Sequence, residues 1–128
     1  MKVMLRALAT LAVAAALTSP ALAADFNTPI VNLDGSPVLG DDKQPLSLAT
    51  VAESALLLSY VDEQNTITGN EKVRRWMLAN TIRHEPKNPT LTSEDITTIK
   101  NLIAKAYSPV VVGQAWQLLD PATTAAKP

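Results

Sequence analysis

From Leu46 to Leu119 apolar residues recur at every third or fourth position, in runs broken by prolines and capping residues. That spacing fits one face of a 3.6-residue helix. The chain has no cysteine, so apolar packing alone must hold the helices together.

The runs predict a mainly α fold, a bundle of three to four helices at about 47–60, 69–85, 93–107 and 109–120. The first reads "LSLATVAESALLLSY", with Ser47 as N-cap and Leu48, Val51, Ala52, Ala55 and Leu58 on one stripe. Glu53 is its one charge, which predicts burial on most sides. In the second, Thr68 and Glu71 stand three apart as a capping box requires, and Pro86 stops the helix. Val73, Trp76 and Met77 lie on one side, with Leu78 and Ile82 opposite. Two apolar sides predict a helix sandwiched between neighbours.

The third helix is the cleanest. Thr92 or Ser93 caps it, and Ile96, Ile99, Leu102, Ile103, Ala106 and Tyr107 form its stripe. "SPVVVGQAWQLLD" then poses a conflict, because three valines favour a strand. Ser108 and Pro109 suit an N-cap and a first helical residue. Each valine costs a few tenths of a kcal/mol in a helix, while burying one gains roughly 1.5 kcal/mol or more. A fourth helix is therefore predicted, with Gly113 admitting a close neighbouring backbone.

Ahead of the bundle, "FNTPIVNLDGSPVLGDDKQ" holds strand formers around an Asp34-Gly35 turn signal. Pro29 and Pro37 forbid long paired strands, so a short irregular β-hairpin is expected at about 29–40. No internal repeat is expected. Residues 24–120 are read as one domain and 121–128 as a disordered tail.

The first 23 residues have the anatomy of a secretory signal: Lys2 and Arg6, an apolar run from Leu8 to Leu17, then "ALA". The apolar run is about half of the roughly 20 residues a membrane span needs. Cleavage after Ala23 would leave nine basic side chains against twelve acidic ones. That balance argues against nucleic acid. The expected location is periplasmic or secreted, with no membrane span after cleavage. A mis-assigned start would instead make the protein cytoplasmic or virion-associated.

No catalytic constellation stands out, and neither a cofactor nor a metal is expected. His84 lacks a second histidine or a cysteine to complete a site, and suits a helix C-terminus. "DEQNTITGNE" misses the calcium-loop spacing: counted from Asp62, glycine falls at position 8 and Val73 at position 12. Asp34, Asp41 and Asp42 read as solvated turns. "KVRR" is the one basic cluster, and Lys72, Arg74 and Arg75 are the candidate surface for an acidic partner protein.

"NLDGSPV", "LATVAESALLLSYVDEQN", "NEKVRRWMLANTI" and "LTSEDITTIKNLIAKAYSPVVVGQAWQLLD", in that order, resemble small proteins encoded by bacteriophages and prophages. The resemblance implies a virion or prophage context, no enzymatic activity and no transferable functional residues. The leader departs from it. The leading expectation is a non-enzymatic interaction or structural protein, whose partner is another protein or a second copy. An exported envelope enzyme or enzyme inhibitor is the alternative. A carrier of small apolar molecules, with a groove lined by Trp76, Tyr107 and Trp116, is the weaker one.

Overall fold

The computed structural model describes residues 24–120, so the leader and the tail lie outside the described residues. Four α-helices occupy most of them: α1 Leu48–Leu57, α2 Gly69–His84, α3 Ser93–Ala106 and α4 Pro109–Leu119. A 3-10 turn, Val61–Glu63, lies between α1 and α2. Helix α1 packs on α2 and α3, and α3 packs on α4.

The caps show why the helices start where they do. The Ser47 hydroxyl accepts from the Thr50 N–H at 3.2 Å. Two further unpaired donors of α1 are met by the N-terminal segment: Leu48 N–H donates to Thr28 O, and Ala49 N–H to Phe26 O. Thr92 and Asp95 form a complete capping box on α3. On α2 only half of the expected box is made. Thr68 accepts from the Glu71 N–H, but the Glu71 carboxylate turns to Arg74 and Arg75.

The first helix ends at Leu57, three residues before its predicted end. Leu58 is extended, and the Tyr60 hydroxyl folds back to donate to Ala55 O at 2.7 Å. That bond satisfies a carbonyl of the last turn and stops the helix from running on.

The proline-led α4 is helical throughout, with Val111, Ala115 and Leu119 buried. Gly113 differs from expectation. It is exposed, and a β-carbon there would meet nothing within 4 Å, so no backbone among the described residues approaches it.

The core joins all four helices to Phe26, Ile30 and Leu91. The aromatics contribute less than their number suggests. Phe26 is fully buried, whereas Tyr60 and Tyr107 are half-buried and Trp76 is 58 % exposed.

Residues 29–47 contain no named strand, but three short segments pair through isolated antiparallel bridges, Pro29 with Ser47, Val31 with Pro37 and Leu39 with Pro45. Their hydrogen bonds close a ring. Ile30 N–H donates to Leu46 O, Leu46 N–H to Val38 O, and Val38 N–H to Ile30 O, at 2.8–3.0 Å. Each ring residue follows a proline, at Pro29, Pro37 and Pro45, so a repeat of eight residues is present after all. It extends into the loops. Asn32 N–H donates to Ser36 O as Gly40 N–H does to Gln44 O. The Asp34 carboxylate accepts from the Ser36 N–H as Asp42 does from the Gln44 N–H. Gly35 has φ 88° and Lys43, its counterpart, has φ 63°.

The two loops therefore use one turn with different residues at the left-handed position. Glycine tolerates that conformation; lysine is strained there. Lys43→Gly is expected to raise stability by about 0.5–1 kcal/mol in urea unfolding, and Gly35→Ala to lower it by a similar amount.

The side-chain amide of Gln114 ties this ring to α4. Its Oε1 accepts from the Val31 N–H at 2.9 Å, and its Nε2 donates to Val31 O and to Val110 O. The amide imitates a strand neighbour for a segment whose ladder is only one bridge long.

Candidate functional site

The α1–α2 junction carries a recess of about 420 Å³. Its lining includes apolar Leu56, Leu57, Leu58 and Ile67 and charged Glu63, Lys72 and Arg75. None of Trp76, Tyr107 and Trp116 lines it. The Trp116 Nε1–H donates to Lys100 O at 2.9 Å, and the Lys100 ammonium sits 4.6 Å from the indole centroid.

Arg75 anchors the charged part of the lining. It is only 9 % exposed, and its guanidinium makes a two-pronged contact with Glu63 at 2.8 and 2.9 Å. Its Nε–H donates to Glu71 at 3.0 Å. Lys105, on α3, reaches Glu63 at 3.0 Å and Asp62 at 3.1 Å. The Arg75 hydrogen bonds, helped by Lys105, pull the Glu63 carboxyl from its ordinary range down to about 2. The hydrogen bonds that Lys105 donates to Glu63 and Asp62 raise its ammonium in turn. Burial raises the Tyr60 hydroxyl. Glu63 thus holds no proton at neutral pH and is saturated with donors, a state suited to fastening the 3-10 turn onto α2 and α3.

The predicted basic cluster separates into different environments. Arg75 is turned inward as described. Arg74 is half-buried and bonds Asp95 and Thr98 of α3, both at 3.1 Å, as well as Glu71. Lys72 is exposed at the rim of the recess. Sequence spacing shows that three cations share a helix turn; it does not show which of them finds a carboxylate on another element.

The second apolar side of α2 is the largest departure from expectation. Leu78, Ala79 and Ile82 are buried, but Val73, Trp76 and Met77 are each more than half exposed. No neighbour among the described residues sandwiches the helix on that side. Leu57 and Leu58, which line the recess, are likewise more than half exposed. Periodicity registered both faces of α2 and could not tell which one the chain covers.

His84 stands exposed at the end of α2, its Nδ1 2.9 Å from Asn80 O. Asp62 and Glu63 of the calcium-like segment face cations of the protein itself. Among the described residues no three His, Asp or Glu side chains gather as a metal ion would require. No helix among them is long and apolar enough to cross a membrane. Comparison with protein-family models, curated proteins and solved structures found no match.

Proposed function

We propose that this is a small non-enzymatic protein-interaction protein, whose working surface is the outer side of α2 together with the adjoining recess. The observation that carries the reading is the row Val73, Trp76 and Met77, left open on a helix whose other side is closely packed. Large apolar side chains grouped beside a recess mark an interaction site more often than bare surface. Tryptophan and methionine are enriched at such interfaces. The resemblance to phage-encoded proteins supports an assembly or accessory role over catalysis. The leader supports export to the periplasm or beyond, and a mass of the cell-produced protein starting at Ala24 is the expected check.

Trp76 makes no described hydrogen bond and is 58 % exposed, so Trp76→Ser is expected to change unfolding stability by less than about 0.5 kcal/mol. The same change is expected to abolish complex formation. A photo-crosslinking residue placed at Val73 should give a discrete adduct in the producing cell, and one at exposed Asn101 on α3 should not. Equal labelling at both positions, or an adduct that survives Trp76→Ser, counts against the reading.

A further inference from the structure

We propose that the outer side of α2 and the recess beside it receive an acidic amphipathic segment of a partner protein. This rests on the interaction reading above and adds the chemistry of the partner.

The argument starts from the geometry of α2. Leu78 and Ile82 point into the core, and a rotation of 100° per residue puts Val73 opposite them, with Trp76 and Met77 to either side. The Arg83–Glu53 pair places α1 on the Trp76 side, while the Arg74–Asp95 pair places α3 on the Met77 side. The recess, lined by the end of α1 and by Lys72 one helical turn before Trp76, therefore lies on the Trp76 side of α2, with exposed Leu57 and Leu58 in its lining.

Charge selects the occupant. Lys72 and Arg83 lie along the Trp76 side of α2, four residues before it and seven after it. Lys72 is exposed and has no ion pair among the described residues. Arg83 is 75 % exposed and holds Glu53 by one 3.3 Å contact. The single carboxylate within α2, Glu71, is turned to Arg74 and Arg75. This side is thus cationic and apolar on a protein whose net charge is −1. A second copy docked antiparallel would set Lys72 of one molecule against Arg83 of the other. An acidic segment meets both cations favourably. A membrane surface would also attract cations, but it offers nothing to fill a concave recess of about 420 Å³. The ridge of an amphipathic helix does, in the manner of helix-in-groove recognition.

The test uses the full chain and synthetic 16-residue helical peptides with leucines on one face. One series carries glutamates beside the leucines, and the other carries lysines at the same places. Calorimetry is expected to show the glutamate series binding at least tenfold tighter. Lys72→Glu with Arg83→Glu should reverse that order, and Trp76→Ser should remove binding of both. Equal affinity for the two series, or a preference that survives the charge reversal, overturns the proposal. So does binding to vesicles of anionic phospholipid, abolished by Trp76→Ser, without peptide binding. If neither series binds while the Val73 crosslink still forms, the acidic-partner proposal falls and the interaction reading stands. If the crosslink is absent as well, both fall.

Discussion

Replacing Arg75 by methionine is expected to cost about 3 kcal/mol of stability, measured as a lower urea midpoint with an unchanged slope. Methionine matches the stem of arginine but removes every donor, so packing is roughly conserved while the ion pairs are lost. Glu63 then keeps only Lys105, and Glu71 keeps only Arg74. A carboxylate left underpaired in a partly buried site costs several kcal/mol. Arg75→Lys should recover less than half, because one ammonium cannot bond both oxygens of Glu63 and also reach Glu71. Arg74→Ala, at a more exposed site, should cost less than about 1 kcal/mol. Equal costs at positions 74 and 75 would show that burial of the pair does not matter.

The same network sets an acid limit. The Glu63 carboxyl lies at about 2 when folded, below its ordinary 4.5. Its contribution is therefore fully present above pH 4.5 and is lost as the pH falls toward 2. With solvent screening at this partly open site, about 2 kcal/mol is at stake. The difference in stability between the wild-type chain and Glu63→Gln should shrink over that window. In Arg75→Met the window should be narrower, because the main cause of the lowered value has gone.

The helices were legible because their signals are local. Thr92 and Asp95 are three residues apart, and the bonds between them need nothing from the rest of the chain. Pro109 at the start of α4 costs no hydrogen bond, so burial of Val111 and Ala115 could outweigh weak propensity. The candidate site was less legible because it depends on what other elements do. Arg74 and Arg75 are neighbours in sequence, yet one turns to Asp95 and the other to Glu63. Val73, Trp76 and Met77 have the spacing of a buried stripe, and only the placement of α1 and α3 leaves them open. Likewise the eight-residue repeat keeps proline and one aspartate, while its real content is backbone bonding. Ile, Val and Leu at the ring positions, and Gly against Lys at the turn, conceal it.

That repeat sets up the second large effect, because its three ring positions are equivalent in backbone and unequal in burial. Ile30 is fully buried in the core, while Val38 and Leu46 are half-buried at its edge. Alanine at any of the three leaves the ring's N–H and carbonyl groups intact, so only packing changes. Ile30→Ala removes three carbons fully buried in the core, and should cost about 3 kcal/mol. Val38→Ala and Leu46→Ala should each cost about 1 kcal/mol, since the cavity they leave opens to water. If the three substitutions cost the same, the hydrogen-bonded ring would be an independent unit with its own stability. The graded result would instead make it an extension of the helical core, held in place by Ile30 from within and by Gln114 from α4. Gln114→Leu separates the two attachments: it removes the bonds to Val31 while keeping the side chain's bulk. Its cost should add to that of Ile30→Ala if the attachments are independent, and fall short of the sum if losing one already frees the ring. Because both attachments hold adjacent residues of a segment one bridge long, the shortfall is the expected outcome, about 1 kcal/mol in a double-mutant cycle.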